Sequence, residues 1–183
     1  QWLGKCPARG LGDCDWVIGS GHKVGGPKGV GFLVVPEAGA GFRGDRGGPQ
    51  ESGRHAGTEN VASIAAMVAA VEAREAEIVG RADVLAAARN AAEQRLREKL
   101  PGLVVIGAGA PRLWNTLAVV VPGGDGRKIV ARMDRLGIAA STGSACSAGT
   151  ESAARVVAAI GATALGLSPA DLRGLVRLSG GWD

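Results

Sequence analysis

The chain has 183 residues, with 21 Lys and Arg against 17 Asp and Glu, for a formal charge of +4. Hydrophobic residues make up 46% and charged residues 21%, an ordinary globular composition that argues against disorder. Four Trp, two Phe and no Tyr give little aromatic surface for stacking bases, and the cations are scattered, Arg89, Arg95, Arg97 and Lys99 alternating with Glu93 and Glu98, so nucleic acid is not an expected partner.

Cys6, Cys14 and Cys146 form an odd set without a CxxC pair, and no signal peptide precedes them. That usage fits a reducing cytoplasm better than a disulfide scaffold. The longest run free of charge and breakers is residues 61–71, too short to span a bilayer, so no membrane insertion is expected. The chain starts at Gln1 with no initiator Met, which leads us to expect a processed or incomplete piece of a longer protein.

In chain order, residues 15–18 and 30–35 are apolar, β-branched runs bounded by glycine and read as buried strands. Between them lies the loop Gly19-Ser20-Gly21-His22-Lys23-Val24-Gly25-Gly26-Pro27-Lys28-Gly29, and residues 39–58 form a second glycine-rich loop. Neither has the composition of a helix. From about Asn60 to Leu100 the sequence turns rich in Ala, Glu and Arg, with Val61, Ile64, Ala65, Val68 and Val71 at helical spacing. Asn60 is the expected N-cap, Gly80 a kink or break between two helices, and Pro101-Gly102 the end of the second.

The remainder alternates. Residues 103–106 and 117–121 read as strands, 127–136 as a helix and 138–140 as a short strand. A small-residue loop, 143–149, precedes an apolar helix near 153–160. Ser168-Pro169 reads as a helix start with Ser at the N-cap, and 175–178 as a last strand. The pattern is a small α/β or α+β layer domain joined by a helical segment to part of another domain.

Three side chains stand out as chemistry. Lys23 follows His22 in a glycine-rich loop, where a lysine either clamps a phosphate or forms a Schiff base, or is simply solvated in a surface turn. No G-x-x-x-x-G-K-[ST] or complete G-x-G-x-x-G is present, so a nucleotide loop is not expected. Cys146 lies in Gly143-Ser144-Ala145-Cys146-Ser147-Ala148-Gly149, among residues too small to bury a thiol; it is a reactive cysteine or a small buried hydrophobe. Arg177, within Leu175-Val176-Arg177-Leu178-Ser179, needs an anionic partner, in a structural ion pair or in a substrate. Cys6, Cys14, His22 and His55 have no metal-site spacing, and no metal is expected.

Taken together, these segments resemble the cysteine desulfurases, in the class-V aminotransferase group of fold-type-I pyridoxal-phosphate enzymes. Residues 20–31 are similar to the family's cofactor-lysine segment, and Gly47-Gly48-Pro49-Gln50-Glu51-Ser52-Gly53-Arg54-His55-Ala56-Gly57-Thr58-Glu59-Asn60 to its second signature. Ser141-Thr142-Gly143-Ser144-Ala145-Cys146-Ser147 is similar to the active-site cysteine loop, and Arg177-Leu178-Ser179 to the segment that binds the substrate carboxylate. The resemblance implies an α/β fold, with residues 1–60 ending the large cofactor domain, 61–100 connecting, and 101–183 forming the small C-terminal domain.

It further implies that Lys23 carries pyridoxal 5′-phosphate and moves protons, that Ser20 and His22 bind the phosphate, and that Gln1 touches the phenolic oxygen. Thr58 would reach the cofactor of a neighbouring subunit, implying a homodimer. Arg177 would bind L-cysteine, and Cys146 would take its sulfur as a persulfide, for a scaffold or other acceptor protein in iron–sulfur assembly or thiolation. The chain departs from the family at His55, where arginine is usual with Arg54 one place early, at Ser152-Ala153-Ala154, where Glu-Pro-Ser is usual, and at Gly180. The family's ring-stacking histidine and its aspartate for the pyridine nitrogen would precede Gln1. The rival readings are a class-V aminotransferase, a selenocysteine lyase, or a silent fragment or subunit that needs a partner.

Overall fold

The computed structural model describes residues 2–6, 11–39, 41–143, 157, 159 and 161–181. The chain divides into two compact units, Gln1–Ala82 and Asp83–Asp183.

In the first unit, β1 (Val17–Ser20) and β2 (Gly31–Val34) pair antiparallel, with Val17 opposite Val34 and Ser20 opposite Gly31. Gly19 faces Phe32, whose ring occupies the place where a side chain on Gly19 would stand. Both strands were expected to be buried, but Ile18 is 82% exposed and Leu33 and Val34 are exposed too. The sheet has two strands among the described residues, so one of its faces lacks a covering layer.

Each glycine-rich loop contains one turn of helix where none was expected. Gly21–Val24 is a 3-10 turn that ends at Gly25, left-handed at φ 88°. Helix α1 (Gln50–Gly53) is a single turn in which Glu51 and Ser52 have positive φ, 51° and 58°. Breaker-rich sequence forbids long helices but not one turn, because glycine supplies the left-handed exit.

Helix α2 (Val61–Lys99) is 39 residues long and begins as expected, with Ser63 N donating to Asn60 Oδ1 at 3.2 Å. It does not break at Gly80. A lone glycine costs about 1 kcal/mol of helix propensity, a price that the surrounding Ala, Glu and Arg outweigh. In the first unit its side chains Met67 and Ile78 are buried together with Val24 of the 3-10 turn, and Arg74 Nε donates to Val24 O at 3.4 Å.

In the second unit the sheet runs β3 (Val104–Val105), β4 (Thr116–Val120) and β5 (Leu175–Ser179), antiparallel throughout with β4 central. Leu117, Val119, Val105 and Val176 share one face with Ile129, Val130 and Met133 of helix α3 (Gly126–Arg135), and with Leu96 of α2. Val120 and Leu175 lie on the other face against Val157, Leu165, Leu167 and Leu172. Asp125 caps α3, accepting from Arg127 N and Lys128 N.

Three expectations here are corrected. Residues 138–140 form no strand; a single bridge at Ser141 pairs with Arg177 instead, because Gly137 takes φ 75° straight after α3 and only Ser141 lines up with β5. Ser168 does not cap a helix beside Pro169. It exchanges hydrogen bonds with Asp171, and a 3-10 turn of four residues, Asp171–Gly174, follows before Leu175 must enter the sheet. The helix expected at 153–160 falls mostly outside the described residues, of which Val157 and Ala159 are helical.

A charged network ties the 112–113 segment to α2 within this unit. Arg112 Nη2 donates to Glu93 Oε2 at 2.7 Å, Arg97 Nη2 lies 3.1 Å from Glu93 Oε1, and Arg89 Nη1 donates to Leu113 O at 2.6 Å. Burial pushes the Glu93 carboxyl up, but the hydrogen bonds from Arg112 and Arg97 outweigh it and hold it below its ordinary 4.5. A carboxyl lowered on folding stabilises the fold fully above its ordinary value, and that stability is lost as pH falls through the lower folded value. Glu93→Gln is therefore expected to lower stability by about 2 kcal/mol near neutral pH. Urea titrations should show the two proteins converging as pH drops below 4.5.

Candidate active site

The strand β1 ends at Ser20 and the chain turns at once through Gly21-His22-Lys23-Val24. Two glycines make that turn possible. An added Cβ on Gly21 would lie 2.9 Å from Val30 Cγ1, 3.0 Å from Pro27 O and 3.3 Å from Met67 Cγ. One on Gly26 would lie 3.1 Å from Gly21 O and 3.2 Å from Met67 Cα. The turn is thus pressed against α2, with Val24 buried beneath and His22 and Lys23 exposed. Ser20 Oγ and His22 Nδ1 are hydrogen-bonded at 2.9 Å.

Beside this turn opens a cleft of about 310 Å³, lined by Ser20, Gly21 and Lys23 together with Phe32, Met67, Val71 and other residues of the first unit. Its lining is mostly apolar, and Lys23 is the one charged residue in it. A volume of this order suits a small ligand or cofactor ring. Ser20, His22 and Lys23 are therefore brought together, whereas Gln1 lies outside the described residues. Thr58 is exposed two residues before Asn60.

Around the second signature, His55 Nδ1 faces Asp45 Oδ2 at 3.6 Å, and Arg54 Nε is buried without a hydrogen-bond partner among the described residues. Cys6 and Cys14 are free thiols, the first half-buried and the second exposed.

In the second unit, Arg177 stands in the middle of β5 opposite Ala118. Its main chain is committed on the outer side, Arg177 N donating to Ser141 O at 2.7 Å and Ser141 N donating to Arg177 O at 3.0 Å. By strand alternation its side chain shares the face of Leu175. It forms no ion pair among the described residues, and its Nε is buried without a hydrogen-bond partner. A guanidinium desolvated in this way is set to accept a planar anion such as a carboxylate. Ser141 opens the segment that leads to Cys146, five residues on; Cys146 itself lies outside the described residues.

Two contributors escaped the sequence reading. Met67 and Phe32, which line the cleft, look like ordinary core positions. Asn115 is a buried polar side chain in no recognised motif; its Nδ2 donates to Gly180 O at 3.3 Å, and its carbonyl accepts from Gly180 N at 2.8 Å, pinning the chain that leaves β5.

Residues 11–179 match the aminotransferase class-V family. The chain is 40% identical over 162 residues to a cysteine desulfurase of Klebsiella pneumoniae, covering 87% of this chain and 40% of that one. It is 36% identical over 181 residues to a cysteine desulfurase of Trichormus azollae, covering 98% of this chain and 44% of that one. A solved NifS-like protein shares 27% identity and superposes with a TM-score of 0.75, over 98% of this chain and 45% of its own. The chain belongs to the class-V aminotransferase family, with the mixed α/β architecture of fold type I. The relatives it matches within that family are cysteine desulfurases, and it spans less than half of their length.

Substituting Gly21→Ala is expected to push the Ser20–Lys23 turn away from Met67 and to destabilise the protein by about 1–3 kcal/mol, as overpacking does. A urea titration beside wild type checks the magnitude.

Proposed function

We propose that the protein is a pyridoxal-phosphate-dependent cysteine desulfurase, taking sulfur from L-cysteine and releasing L-alanine. The observation that carries the reading is the Ser20–Lys23 turn opening on an apolar cleft. Its groups suit pyridoxal phosphate: a primary amine for the aldehyde, a hydroxyl and an imidazole for the phosphate, and apolar walls for the ring. In this reading Lys23, Ser20, His22 and Gln1 hold the cofactor, and Thr58 reaches that of a second subunit in a homodimer. The first unit belongs to the cofactor domain and residues 101–183 form the small domain. When bound, the cofactor supplies the electron sink for chemistry at the substrate's α-carbon.

The chain's own groups do the rest. The Arg177 guanidinium binds the substrate carboxylate through paired N–H donors and fixes which bonds face the reacting groups. The Lys23 amine takes and returns a proton at the substrate carbon. The Cys146 thiolate attacks the substrate sulfur, keeps it as a persulfide and passes it to an acceptor protein. We place this chemistry in the cytoplasm, serving iron–sulfur assembly or thiolation.

The deciding experiment is to incubate the chain with pyridoxal phosphate, reduce with borohydride and map the modified peptide. Label at Lys23 is the expected result; label scattered over surface lysines, or none, counts against a cofactor site in this chain. With L-cysteine present, alkylation and mass spectrometry should find the persulfide at Cys146, and Cys146→Ser should abolish it. Turnover that survives Cys146→Ser would instead identify an aminotransferase. Arg177→Lys keeps the charge but loses the planar fork, and is expected to raise KM for L-cysteine by about tenfold or more, read from steady-state alanine release.

A further inference from the structure

Helix α3 carries cations where helix electrostatics disfavours them. Just after the Asp125 cap come Arg127 and Lys128, at the end of the helix that bears positive partial charge. Lys128, Arg132 and Arg135 then recur at i, i+4 and i+7, so like charges line one side of the helix. Favourable interaction with the helix C-terminus accounts for Arg132 and Arg135 but not for the first two. The other side is spent on the core through Ile129, Val130 and Met133, which leaves all four cations exposed.

These charges are also barely compensated. Lys128 reaches Asp125 at 4.0 Å, both side chains largely solvated, and Arg127, Arg132 and Arg135 have no ion pair among the described residues. Helix α2 treats its cations differently, pairing Arg74 with Glu77 and Arg97 with Glu93. Directly after α3 stand two exposed aliphatic residues, Leu136 at 76% and Ile138 at 47%. Three residues beyond Ile138 is Ser141, bonded to Arg177 and opening the segment that holds Cys146. A local rule broken without internal compensation points to an external partner.

We infer that the basic side of α3, with Leu136 and Ile138 at its end, docks an acidic segment of the protein that accepts sulfur from Cys146. The acceptor's role rests on the desulfurase reading; the docking itself does not. Arginines around exposed aliphatic anchors are the make-up of a protein interface. A nucleic acid fits less well, because Asp134 lies among the cations and the helix offers no aromatic ring for a base.

The test uses the full chain and a fluorescein-labelled peptide of glutamates around two leucines, with binding followed by anisotropy at low salt. The double variant Arg132→Glu/Arg135→Glu is expected to weaken binding by about tenfold or more. Arg81→Glu/Arg95→Glu, an equal charge change at exposed sites on α2, should leave it within about twofold. Leu136→Ser, which removes only apolar contact, should weaken it by about threefold with the salt dependence unchanged. Equal losses in the two charge variants would reduce the effect to general attraction and overturn the proposal, as would absence of binding. Tighter binding of a single-stranded RNA of similar length would overturn it in favour of a nucleic-acid surface. No readout here involves cysteine or pyridoxal phosphate, so loss of the docking surface and loss of the desulfurase reading register separately.

Discussion

Strand β4 carries two ladders at once, to β3 on one side and β5 on the other, and it is apolar on both faces. Leu117 and Val119 enter one cluster while Val120, fully buried, enters the other. A strand of this kind has to lie between two covering layers, and here α3 supplies one and the chain around residues 157–172 the other. Everything chemical in the second unit hangs from it. Arg177 is placed by pairing with Ala118, and the segment that leads to Cys146 is fastened to the far side of Arg177 by Ser141.

How far the sequence disclosed this varies with the kind of interaction. Continuous β-branched runs such as Leu117-Ala118-Val119-Val120-Val121 announce a central strand, and the Asn60 cap announces the start of α2. What escaped was set by partners distant in the chain. Gly80 looked like a break because propensity is local, whereas helix continuity is decided by its neighbours over many residues. The 138–140 strand failed for the opposite reason: those residues have β-forming side chains, but only Ser141 meets the free edge of β5.

The site was legible where a motif is contiguous. Ser20, His22 and Lys23 sit within four residues, so a shared turn follows almost from their order. The walls of the cleft, Phe32 and Met67, come from a second strand and a helix and carry no mark that separates them from core residues. Asn115 was silent for a related reason, since its partner Gly180 is 65 positions away and the contact exists only once β4 and β5 have paired.

The mounting of Arg177 has a consequence for recognition. Its backbone is bonded on one side through the β4 ladder that its neighbours make and on the other through Ser141, and Asn115 holds the chain three residues later. The main-chain freedom at this position is surrendered when the protein folds, not when a ligand arrives. An anion meeting the guanidinium need only settle a side chain that has already lost its water on Nε. Such preorganisation shifts the entropic cost of recognition from binding to folding. It also lets a small carboxylate, with few atoms to contribute, be held by a single residue.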